Sequence, residues 1–483
     1  MNKLFDRVKK IPNIEYIILA IILLISIGVR LYKIDSPLAD WHSWRQTDTA
    51  AVTRIYLKEG IDVLKPKYYD ISSVQTGIFN PRGLRLVEFP LYNLVHAFLV
   101  SKIGVFSFEV WGRLVSVIAA GFSTLLIFVL GRRFINTEGG LLAAFFYAAM
   151  PYNIYFTRVI LPEPLATTLG LLSLVLFIKY LDKEKYLLLV SSTLVLALAM
   201  LVKPFIFFYS VPMVYLALQK KSFKEWVSDL RLVFAASLAV VPFFAWRAWI
   251  NNFPVGIPHF SWAFNGDGIR FKPSFWRWIF AERIGNMMLG IWGVFPFVYG
   301  LLKTKKGQAF NAFFFLGMVL YMSVFATANV RHDYYQTIIV PAIVLILAQG
   351  SLVLWQAKDM NKRLSRLLLL FSLLVMFITT ATHIKGFYQI NHPEIIEAGE
   401  RVDKLVAEDA WVIAPYNGDA AFLYHTNRRG WPVIELPLEE LIDKGASILV
   451  SVNFDDATNE VMETYEIIEK TDTYVIADLT KPL

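Results

Sequence analysis

The sequence predicts a polytopic α-helical membrane protein of about eleven transmembrane helices, followed by a small soluble α/β domain. Three observations predict this fold class: the composition, the spacing of long apolar runs, and the position of the basic residues between them. Of the 483 residues, 56% are hydrophobic and 18% are charged, and the mean hydropathy is +0.50. Soluble domains carry about 25% charged residues. The chain has no cysteine, which excludes disulfides and thiolate chemistry.

Long apolar runs predict the transmembrane helices, because about 20 apolar residues in a helix cross the roughly 30 Å hydrocarbon core of a bilayer. The first run follows basic residues, as in a signal peptide, but it is too long and no small-residue cleavage site follows, which predicts an uncleaved helix. Pro212 predicts a kink in the shortest run. The runs occupy residues 14–32, 109–131, 139–156, 164–181, 187–202, 205–218, 232–250, 285–302, 308–327, 336–355 and 367–385.

The basic residues between these runs predict the orientation. With eleven spans, all the Lys and Arg clusters fall on one side, which the positive-inside rule assigns to the cytoplasm. The net charge of +8 is therefore an orientation signal and does not predict nucleic-acid binding. A further crossing at 88–104 would reverse every later cluster, so this segment is predicted to be an interfacial or re-entrant helix. The clusters are Lys3 to Lys10, Arg132 and Arg133, Lys183 and Lys185, Lys220 to Arg231, Lys303 to Lys306, and Lys358 to Arg366.

This orientation predicts an integral protein of the cytoplasmic membrane with a cytoplasmic N-terminus. Residues 1–385 form the predicted transmembrane domain, which includes a large first outer loop at 33–108. Residues 386–483 form a predicted extracytoplasmic α/β domain. A helical pattern (PEIIEAGERVDKLVAE) is followed there by β-rich runs at 411–415, 446–452 and 473–479, and this alternation predicts a partly parallel sheet.

Ionisable residues collect at the predicted outer ends of the helices and in the loops that join them. The densest stretch is "PLADWHSWRQTDTAAV", residues 37 to 52, a few residues beyond the first apolar run. Side chains from several loops thus converge on one face of the membrane, which predicts a reactive site there. They are Asp40, His42, Arg45, Asp48, Glu88, Arg158, Glu163, Lys203, Arg331, His332 and Asp333.

Several of these residues have two interpretations. Glu163 suits a helix start, where a carboxylate meets the positive end of the helix dipole, but together with Arg158 it could grip an anionic headgroup. Lys203 and Arg113 could snorkel to the interface or contact a lipid phosphate. Tyr334 and Tyr335 are typical of an aromatic belt, whereas the adjacent Arg-His-Asp at 331–333 is less ordinary.

The motifs of cofactor chemistry are missing from the sequence. It contains no HExxH or similar zinc-ligand spacing, so no metal is required and a divalent metal is only weakly supported by the Asp and His residues of these loops. It also contains no glycine-rich phosphate loop or nucleotide fingerprint, which argues against a nucleotide-driven reaction.

The outer-face residues together resemble the GT-C glycosyltransferases. The resemblance lies in an acidic first outer loop, an acid after an Arg in the next outer loop (Arg158 to Glu163), a Lys-Pro after the fifth span (Lys203) and a His-Asp-Tyr-Tyr at 332–335. Within that superfamily the chain looks like the protein mannosyltransferase and aminoarabinose transferase (ArnT-like) group, over roughly residues 10 to 390.

The resemblance implies an inverting sugar transfer from a polyprenyl-phosphate donor to a lipid, glycan or protein acceptor at the outer face, with no nucleic acid involved. It implies an acid of the first outer loop at the reacting centre, for which we predict Asp40 as general base, with Asp48 second and Glu163 as a further catalytic acid. The implied substrate-binding residues are His42, Arg45, Glu88, Arg113, Arg158, Lys203, Arg331, His332, Asp333, Tyr334 and Tyr335.

Two positions depart from the family pattern. Many relatives carry an Asp-Glu pair in the first loop, whereas the aligned position here reads Arg45-Gln46. Glu88 stands where the aminoarabinose transferases present a lysine to the lipid phosphate. A glutamate cannot bind that phosphate, so Arg113, Arg158 or Lys203 would supply the positive charge, and Glu88 would bind sugar hydroxyls instead.

Two other functions fit parts of the pattern. A carrier or flippase for a lipid-linked sugar would also be polytopic, but carriers tend to place ionisable groups near the bilayer midplane and to have small loops. A ligase that uses a polyprenyl-pyrophosphate donor shares the outer-face chemistry and differs in its donor.

Overall fold

The computed structural model describes residues 13–357 and 360–483, apart from the side chain of Lys306. The predicted basic cluster from Lys3 to Lys10, and Lys358, lie outside the described residues. The chain forms two compact units. The helical unit comprises the segment up to Ile34 and residues 113–245 and 260–386, and the mixed unit comprises residues 35–112, 246–259 and 387–483.

Helices account for most of the helical unit. Helix Phe108–Phe134 belongs to it from Arg113 onwards, and helix Leu230–Ile250 up to Ala245. A π-type helix, Arg277–Met288, and short 3-10 turns join some of the α-helices. The α-helices are Ile14–Gly28, Phe108–Phe134, Thr137–Ala149, Pro151–Phe156, Glu163–Lys183, Tyr186–Val202, Ser210–Leu218, Phe223–Ser228, Leu230–Ile250, Trp262–Asn265, Pro273–Trp276, Val294–Leu302, Ala309–Val324, Ala326–Arg331, Val340–Gln356 and Lys362–Ile384.

Six helices of the described chain are long and apolar enough to cross a membrane. They correspond to six of the eleven predicted runs. Of the other five runs, 187–202 and 308–327 each form one shorter helix, and the remaining three are broken into pieces. Proline causes part of this difference: Pro151 starts a new helix within the run 139–156, and Pro204 starts a 3-10 turn before helix Ser210–Leu218. The six long helices are Phe108–Phe134, Glu163–Lys183, Leu230–Ile250 and, counted with their adjoining 3-10 turns, Ile14–Leu31, Asp333–Gln356 and Lys362–Tyr388.

Helix Asp333–Gln356 is the most buried of the six long helices: 94% of its most apolar 18-residue segment is buried. Gly350 allows close packing against the neighbouring helix Val294–Leu302. A Cβ atom at position 350 would stand 1.8 Å from the carbonyl oxygen of Pro296. Small residues that let two helix backbones approach are typical of membrane helix pairs.

The mixed unit contains a five-stranded sheet. Its strands are β1 (Trp411–Ile413), β2 (Gly430–Trp431), β3 (Ala446–Ser451), β4 (Tyr465–Lys470) and β5 (Val475–Pro482), in the order β2-β1-β3-β5-β4. The pairs of β1 with β2 and with β3 are parallel, and β5 pairs antiparallel with β3 and β4. Three of these strands were predicted, and β2 and β4 were not. The helices of this unit are Ser43–Glu59, Leu91–Lys102, Glu394–Leu405, Ala420–Thr426, Leu438–Asp443 and Asp456–Thr464.

The first outer loop is part of this sheet structure. The Ile71 amide donates to the Gly430 carbonyl at 2.9 Å, and the Gly430 amide donates to the Tyr69 carbonyl at 3.0 Å, so the loop runs parallel to the edge strand β2. Ile71 also belongs to the apolar core beneath the sheet, where the ring of Phe79 stacks on that of Trp431. Residues from near the start and from the end of the chain thus fold as one unit. The segment 88–104 forms helix Leu91–Lys102, whose twelve residues are too few to cross a bilayer.

A second contact joins the loop to the C-terminal residues. The Arg54 guanidinium lies 3.9 Å from the centroid of the Tyr424 ring and donates to the Tyr424 hydroxyl and carbonyl oxygens at 2.5 and 3.2 Å. Arg54 also donates to the Glu109 carboxylate at 3.0 Å. A cation on an aromatic face contributes about 0.5 to 2 kcal/mol, depending on its desolvation.

We predict that Gly430→Ala destabilises the mixed unit by about 3 kcal/mol or more, because overpacking a rigid backbone contact cannot be relieved by rotating a side chain. A Cβ atom there would lie 1.7 Å from the Val412 carbonyl oxygen. The apparent melting temperature of the purified protein in detergent measures this effect. Gly386→Ala is the control, since a Cβ at that position meets nothing within 4 Å. Equal melting temperatures for the two variants would contradict the prediction.

Candidate active site

The predicted site residues fall into two groups, one in each unit. Those in the mixed unit are Asp40, His42, Arg45, Asp48 and Glu88. Those in the helical unit are Arg113, Arg158, Glu163, Lys203, Arg331, His332, Asp333, Tyr334 and Tyr335.

The first group is organised by the start of helix Ser43–Glu59. The helix is preceded by a turn in which the Ser43 amide donates to the Asp40 carbonyl at 2.9 Å. His42 adopts a left-handed conformation with φ of 56° and precedes the first helical residue. Positive φ at a non-glycine residue costs of order 1 to 3 kcal/mol and persists where the surrounding structure enforces it. The turn therefore fixes the orientation of Asp40 and His42, which precede the helix.

The Asp40 carboxylate is held by a neighbour on this helix. Its Oδ1 accepts a hydrogen bond of 2.6 Å from the Gln46 side-chain amide, and Asp40 is 5% exposed. An amide donor stabilises the ionised form of a carboxylate without neutralising its charge. The sequence analysis noted Gln46 only as a departure from the family pattern, and its role as the donor to Asp40 was missed.

Arg45 and Glu88 form a salt bridge with each other. Both side chains are mostly buried, so each carries a desolvation cost that the pairing offsets. The two residues were predicted separately as substrate-binding groups, and Glu88 was predicted to bind sugar hydroxyls. The structure brings them together, and the Arg45 guanidinium donates a hydrogen bond to Oε1 of Glu88.

Asp48 anchors a buried polar network that the sequence analysis missed. Its Oδ2 accepts a hydrogen bond of 2.6 Å from Arg85, whose guanidinium also donates to the Gln75 side chain. The Gln75 amide lies 3.4 Å from the carboxylate of Asp70, which also accepts a 2.8 Å hydrogen bond from the Ser72 amide. Arg85 lies in the mainly apolar stretch "GLRLVEFP". A basic residue in such a stretch needs a buried partner, and this signal could have predicted the network.

Two acids and one base in this network leave an excess negative charge. Burial, with a smaller contribution from the negative charge of Asp48, raises the pKa of Asp70 to about 6 against the opposing effects of the Ser72 hydrogen bonds and the charge of Arg85. Asp70 therefore gains a proton on mild acidification, well above the ordinary range of an aspartate.

In the helical unit, Glu163 and Lys203 form a buried ion pair. Their charged atoms lie 2.7 Å apart, and Glu163 is 0% and Lys203 4% exposed. Glu163 is the first residue of helix Glu163–Lys183, as predicted for a helix-start acid. The ring of Tyr335 lies 5.7 Å from the Lys203 ammonium. Removing one member of a buried pair costs about 3 to 5 kcal/mol because it leaves an uncompensated buried charge, so each of the two side chains depends on the other.

The two predicted phosphate-binding arginines contact the chain beyond the first helix. Arg158 donates to the carbonyl of Lys33 at 2.7 Å, and Arg113 donates to the carbonyl of Ile34 at 2.8 Å. Both side chains are fully buried. They hold this segment at the point where the chain leaves the helical unit.

The residues at 331–335 point to different partners. Arg331 forms a bidentate salt bridge of 2.9 Å with Asp267 and is largely exposed. Asp333 is buried and lies 3.8 Å from Arg283. The ring of His332 meets that of Trp262 edge-on at 5.7 Å, whereas Tyr334 is buried.

A cavity in the helical unit was not predicted. It has a volume of about 540 Å³ and is lined by Arg270, Phe271, Lys272, Pro273, Trp276 and Ser323. Phe271 is 81% exposed beside it. Exposed aromatic residues next to basic ones are typical of membrane–water interfaces. Among the described residues, Lys272 makes no salt bridge, which distinguishes it from Lys203.

Metal binding was left open by the sequence. Within residues 13–357 and 360–483, no group of three or more His, Asp or Glu residues is placed to hold a metal ion. Asp40 and His42 lie in the mixed unit, whereas His332 and Asp333 lie in the helical unit. A role for a divalent metal stays a prediction.

Comparisons with known proteins bear on the fold. Residues 90–249 match the family model described as dolichyl-phosphate-mannose-protein mannosyltransferase. No curated protein sequence matches the chain. The structure is similar to that of ArnT from Cupriavidus metallidurans bound to undecaprenyl phosphate, with a TM-score of 0.65 and 11% sequence identity, over 96% of this chain and 97% of that chain.

Two structures of an oligosaccharyltransferase from Archaeoglobus fulgidus are also similar. The complex with Zn and sulfate gives a TM-score of 0.56 at 12% identity, over 92% of this chain and 68% of that chain. AglB in complex with an inhibitory peptide and a dolichol-phosphate gives 0.54 at 11% identity, over 98% and 74%. The family-model match over residues 90–249 and the ArnT-like fold confirm the predicted resemblance at the level of the fold.

The raised pKa of Asp70 gives a testable pH dependence. Because the folded pKa is about 6 and the unfolded value is about 3.9, this group favours folding below about pH 4 and loses that contribution as the pH rises through about 6. We predict that Asp70→Asn gains stability relative to the native protein, by up to about 3 kcal/mol, between about pH 4 and pH 7.

Thermal unfolding of both proteins in detergent across this pH range measures the difference. Asp62→Asn is the matched control, since Asp62 is an exposed aspartate of the same loop that also accepts backbone hydrogen bonds. A difference between Asp70→Asn and the native protein that does not change with pH would contradict the assignment.

Proposed function

We propose that the chain is a membrane glycosyltransferase that moves a sugar, with inversion, from a polyprenyl-phosphate donor to an acceptor hydroxyl at the outer face of the cytoplasmic membrane. The observation that carries this proposal is the ArnT-like fold over 96% of the chain. The similar structures were solved with undecaprenyl phosphate and with a dolichol-phosphate, which supports a lipid phosphate as the donor's carrier.

Asp40 is the proposed general base. Its carboxylate, which Gln46 holds in place, can take the proton of an acceptor hydroxyl. The acceptor oxygen then forms a bond to the anomeric carbon, on the face opposite the leaving group, and the bond from that carbon to the phosphate oxygen breaks. The phosphate leaves with the electron pair, so the sugar is inverted and no nucleotide is needed.

A lipid phosphate bound by the helical unit needs positive charge. Glu163 already matches the charge of Lys203, and the fully buried Arg113 and Arg158 donate to backbone carbonyls. The cavity beside Arg270 and Lys272 offers cations without a matching carboxylate in its lining. A phosphate at this cavity would be stabilised by charge-assisted hydrogen bonds, and the exposed Phe271 and Trp276 suit a headgroup at the interface.

Eleven spans with a cytoplasmic N-terminus complete the proposed topology. Three shorter apolar helices, Tyr186–Val202, Pro204–Leu218 and Ala309–Val324, bring the candidate spans among the described residues to nine, and the predicted runs 139–156 and 285–302 would supply the other two. In this topology the first outer loop and the C-terminal residues are extracytoplasmic. Their folding as one unit supports their lying on the same side of the membrane.

A donor panel tests the proposed function. Purified protein in lipid nanodiscs is mixed with single polyprenyl-phosphate sugars and a detergent extract of cell membranes, and the products are weighed by mass spectrometry. The proposal expects a mass increase of one sugar on an acceptor and release of the polyprenyl phosphate. Transfer only from pyrophosphate donors would identify a ligase, whereas transbilayer movement without a new glycosidic bond would identify a carrier.

We predict that Asp40→Asn lowers the transfer rate by about 10²- to 10⁴-fold, which is the usual contribution of a general base. An asparagine can still accept the hydrogen bond from Gln46, so the melting temperature is expected to stay unchanged. Asp35→Asn changes an exposed aspartate of the same loop and serves as the control. A fully active Asp40→Asn variant would remove Asp40 from the mechanism.

A further inference from the structure

The chain between helices Ser210–Leu218 and Leu230–Ile250 carries exposed apolar side chains beside lysines. It comprises residues 219–229 of the helical unit, which we call the basic connection. Phe223 is 70% and Val227 50% exposed. The lysines, all exposed, are Lys220, Lys221 and Lys224. Apolar side chains that are grouped on a surface and bordered by polar ones are typical of an interaction site.

A short helix, Phe223–Ser228, fixes how these side chains are presented. It begins with a capping box: the Ser222 hydroxyl accepts a hydrogen bond of 3.4 Å from the Glu225 amide, and the Glu225 carboxylate accepts one of 2.7 Å from the Ser222 amide. Phe223 and Val227 are four residues apart, so they lie on the same face of the helix. The apolar side chains are therefore presented together, next to the lysines.

Trp226 attaches the basic connection to the rest of the helical unit. Its indole nitrogen donates to the Ala217 carbonyl at 3.0 Å. The Trp226 ring also lies 6.4 Å from the ring of Phe177 and 6.5 Å from that of Tyr180, both on helix Glu163–Lys183. The basic connection is thus held against this helix by Trp226, whereas Phe223 stays exposed.

This contact lies at the far end of helix Glu163–Lys183 from Glu163. The helix is one of the six that are long and apolar enough to cross a membrane. With a rise of about 1.5 Å per residue, Tyr180 lies about 25 Å from Glu163 along the helix axis. The basic connection also leads directly into Leu230, which is 81% exposed and begins another of the six helices. When these helices span a bilayer, the basic connection lies at the membrane surface opposite to Glu163.

The acids of the basic connection do not neutralise its lysines. Asp229 forms a salt bridge of 3.1 Å with Arg231, and the Glu225 carboxylate is used in the capping box. Within the part of the chain that the structure describes, none of the three lysines forms a salt bridge. Lysines next to exposed apolar side chains fit an anionic lipid surface, which attracts the charges while the apolar side chains enter the boundary of the acyl chains.

We propose that the basic connection binds anionic phospholipids in the leaflet opposite to Glu163. Phe223, Val227 and Leu230 insert among the lipids, and the lysines bind headgroup phosphates through charge-assisted hydrogen bonds. Lipid is the occupant because the apolar surface continues into the exposed start of helix Leu230–Ile250, which the bilayer itself surrounds. This surface takes no part in the sugar transfer.

Fluorescence quenching tests whether position 223 enters the bilayer. The chain has no cysteine, so Phe223→Cys can be labelled with an NBD maleimide in the full-length protein, which is placed as single copies in nanodiscs of phosphatidylcholine and phosphatidylglycerol. We expect strong quenching by nitroxide-labelled lipids and weak quenching by iodide. Phe454→Cys is the matched control, because Phe454 is 38% exposed and lies 5.8 Å from the Lys470 ammonium in the mixed unit. The reverse pattern is expected there.

The lysines are tested by changing the lipid charge. We expect lipid quenching at position 223 to increase when phosphatidylglycerol replaces part of the phosphatidylcholine. Each lysine near an anionic leaflet contributes several-fold in affinity, so this increase should fall about threefold or more when all three lysines are changed to glutamine. The control changes three exposed lysines of the mixed unit to glutamine and should leave the increase unaltered. They are Lys404, Lys444 and Lys470.

Three results would overturn the proposal. Equal iodide quenching at positions 223 and 454 would show that water covers Phe223. Protection of position 223 from both quenchers would show that protein covers it. An unchanged response to phosphatidylglycerol in the triple lysine variant would rule out recognition of anionic lipid. These measurements need no substrate, so they decide the lipid surface separately from the proposed transferase function.

Discussion

Charge buried without a partner is unstable, and this constraint shapes the first outer loop. Helix Ser43–Glu59 and the turn before it carry Asp40, Arg45 and Asp48, which are all nearly inaccessible to solvent. An isolated buried carboxylate or guanidinium would cost several kcal/mol, so each needs a fixed neighbour. Gln46, Glu88 and Arg85 provide these neighbours. Once the partners are fixed, the directions of the three side chains are fixed too, and this is the preorganisation that a catalytic carboxylate needs.

The same constraint explains why the loop and the C-terminal residues form one unit. A long loop at a membrane surface has little apolar area of its own to bury, so it needs a scaffold. The loop takes that scaffold from the sheet, through the backbone pairing of Tyr69 and Ile71 with Gly430 and the stacking of Phe79 on Trp431. The acidic turn that carries Asp40 is therefore held by the sheet scaffold of its own unit.

Much of the fold follows from sequence patterns, and much of the site does not. Hydrophobic length predicted the six long helices, and β-rich runs predicted three strands, because both patterns are local. The pairing of Arg45 with Glu88, of Glu163 with Lys203 and of Asp48 with Arg85 depends on which segments meet, and spacing along the chain does not encode it.

The proposed sugar transfer at the outer face depends most on sidedness, because the residues predicted from the outer loops must then be reached from outside the cell. The chain has no cysteine, so single cysteines can be introduced without background. Trp41→Cys and Arg331→Cys each change an exposed residue, and a membrane-impermeant maleimide added to intact cells is expected to label both. Lys183→Cys and Lys303→Cys should react only after the membrane is opened. Labelling of positions 41 and 331 from opposite sides would contradict the account.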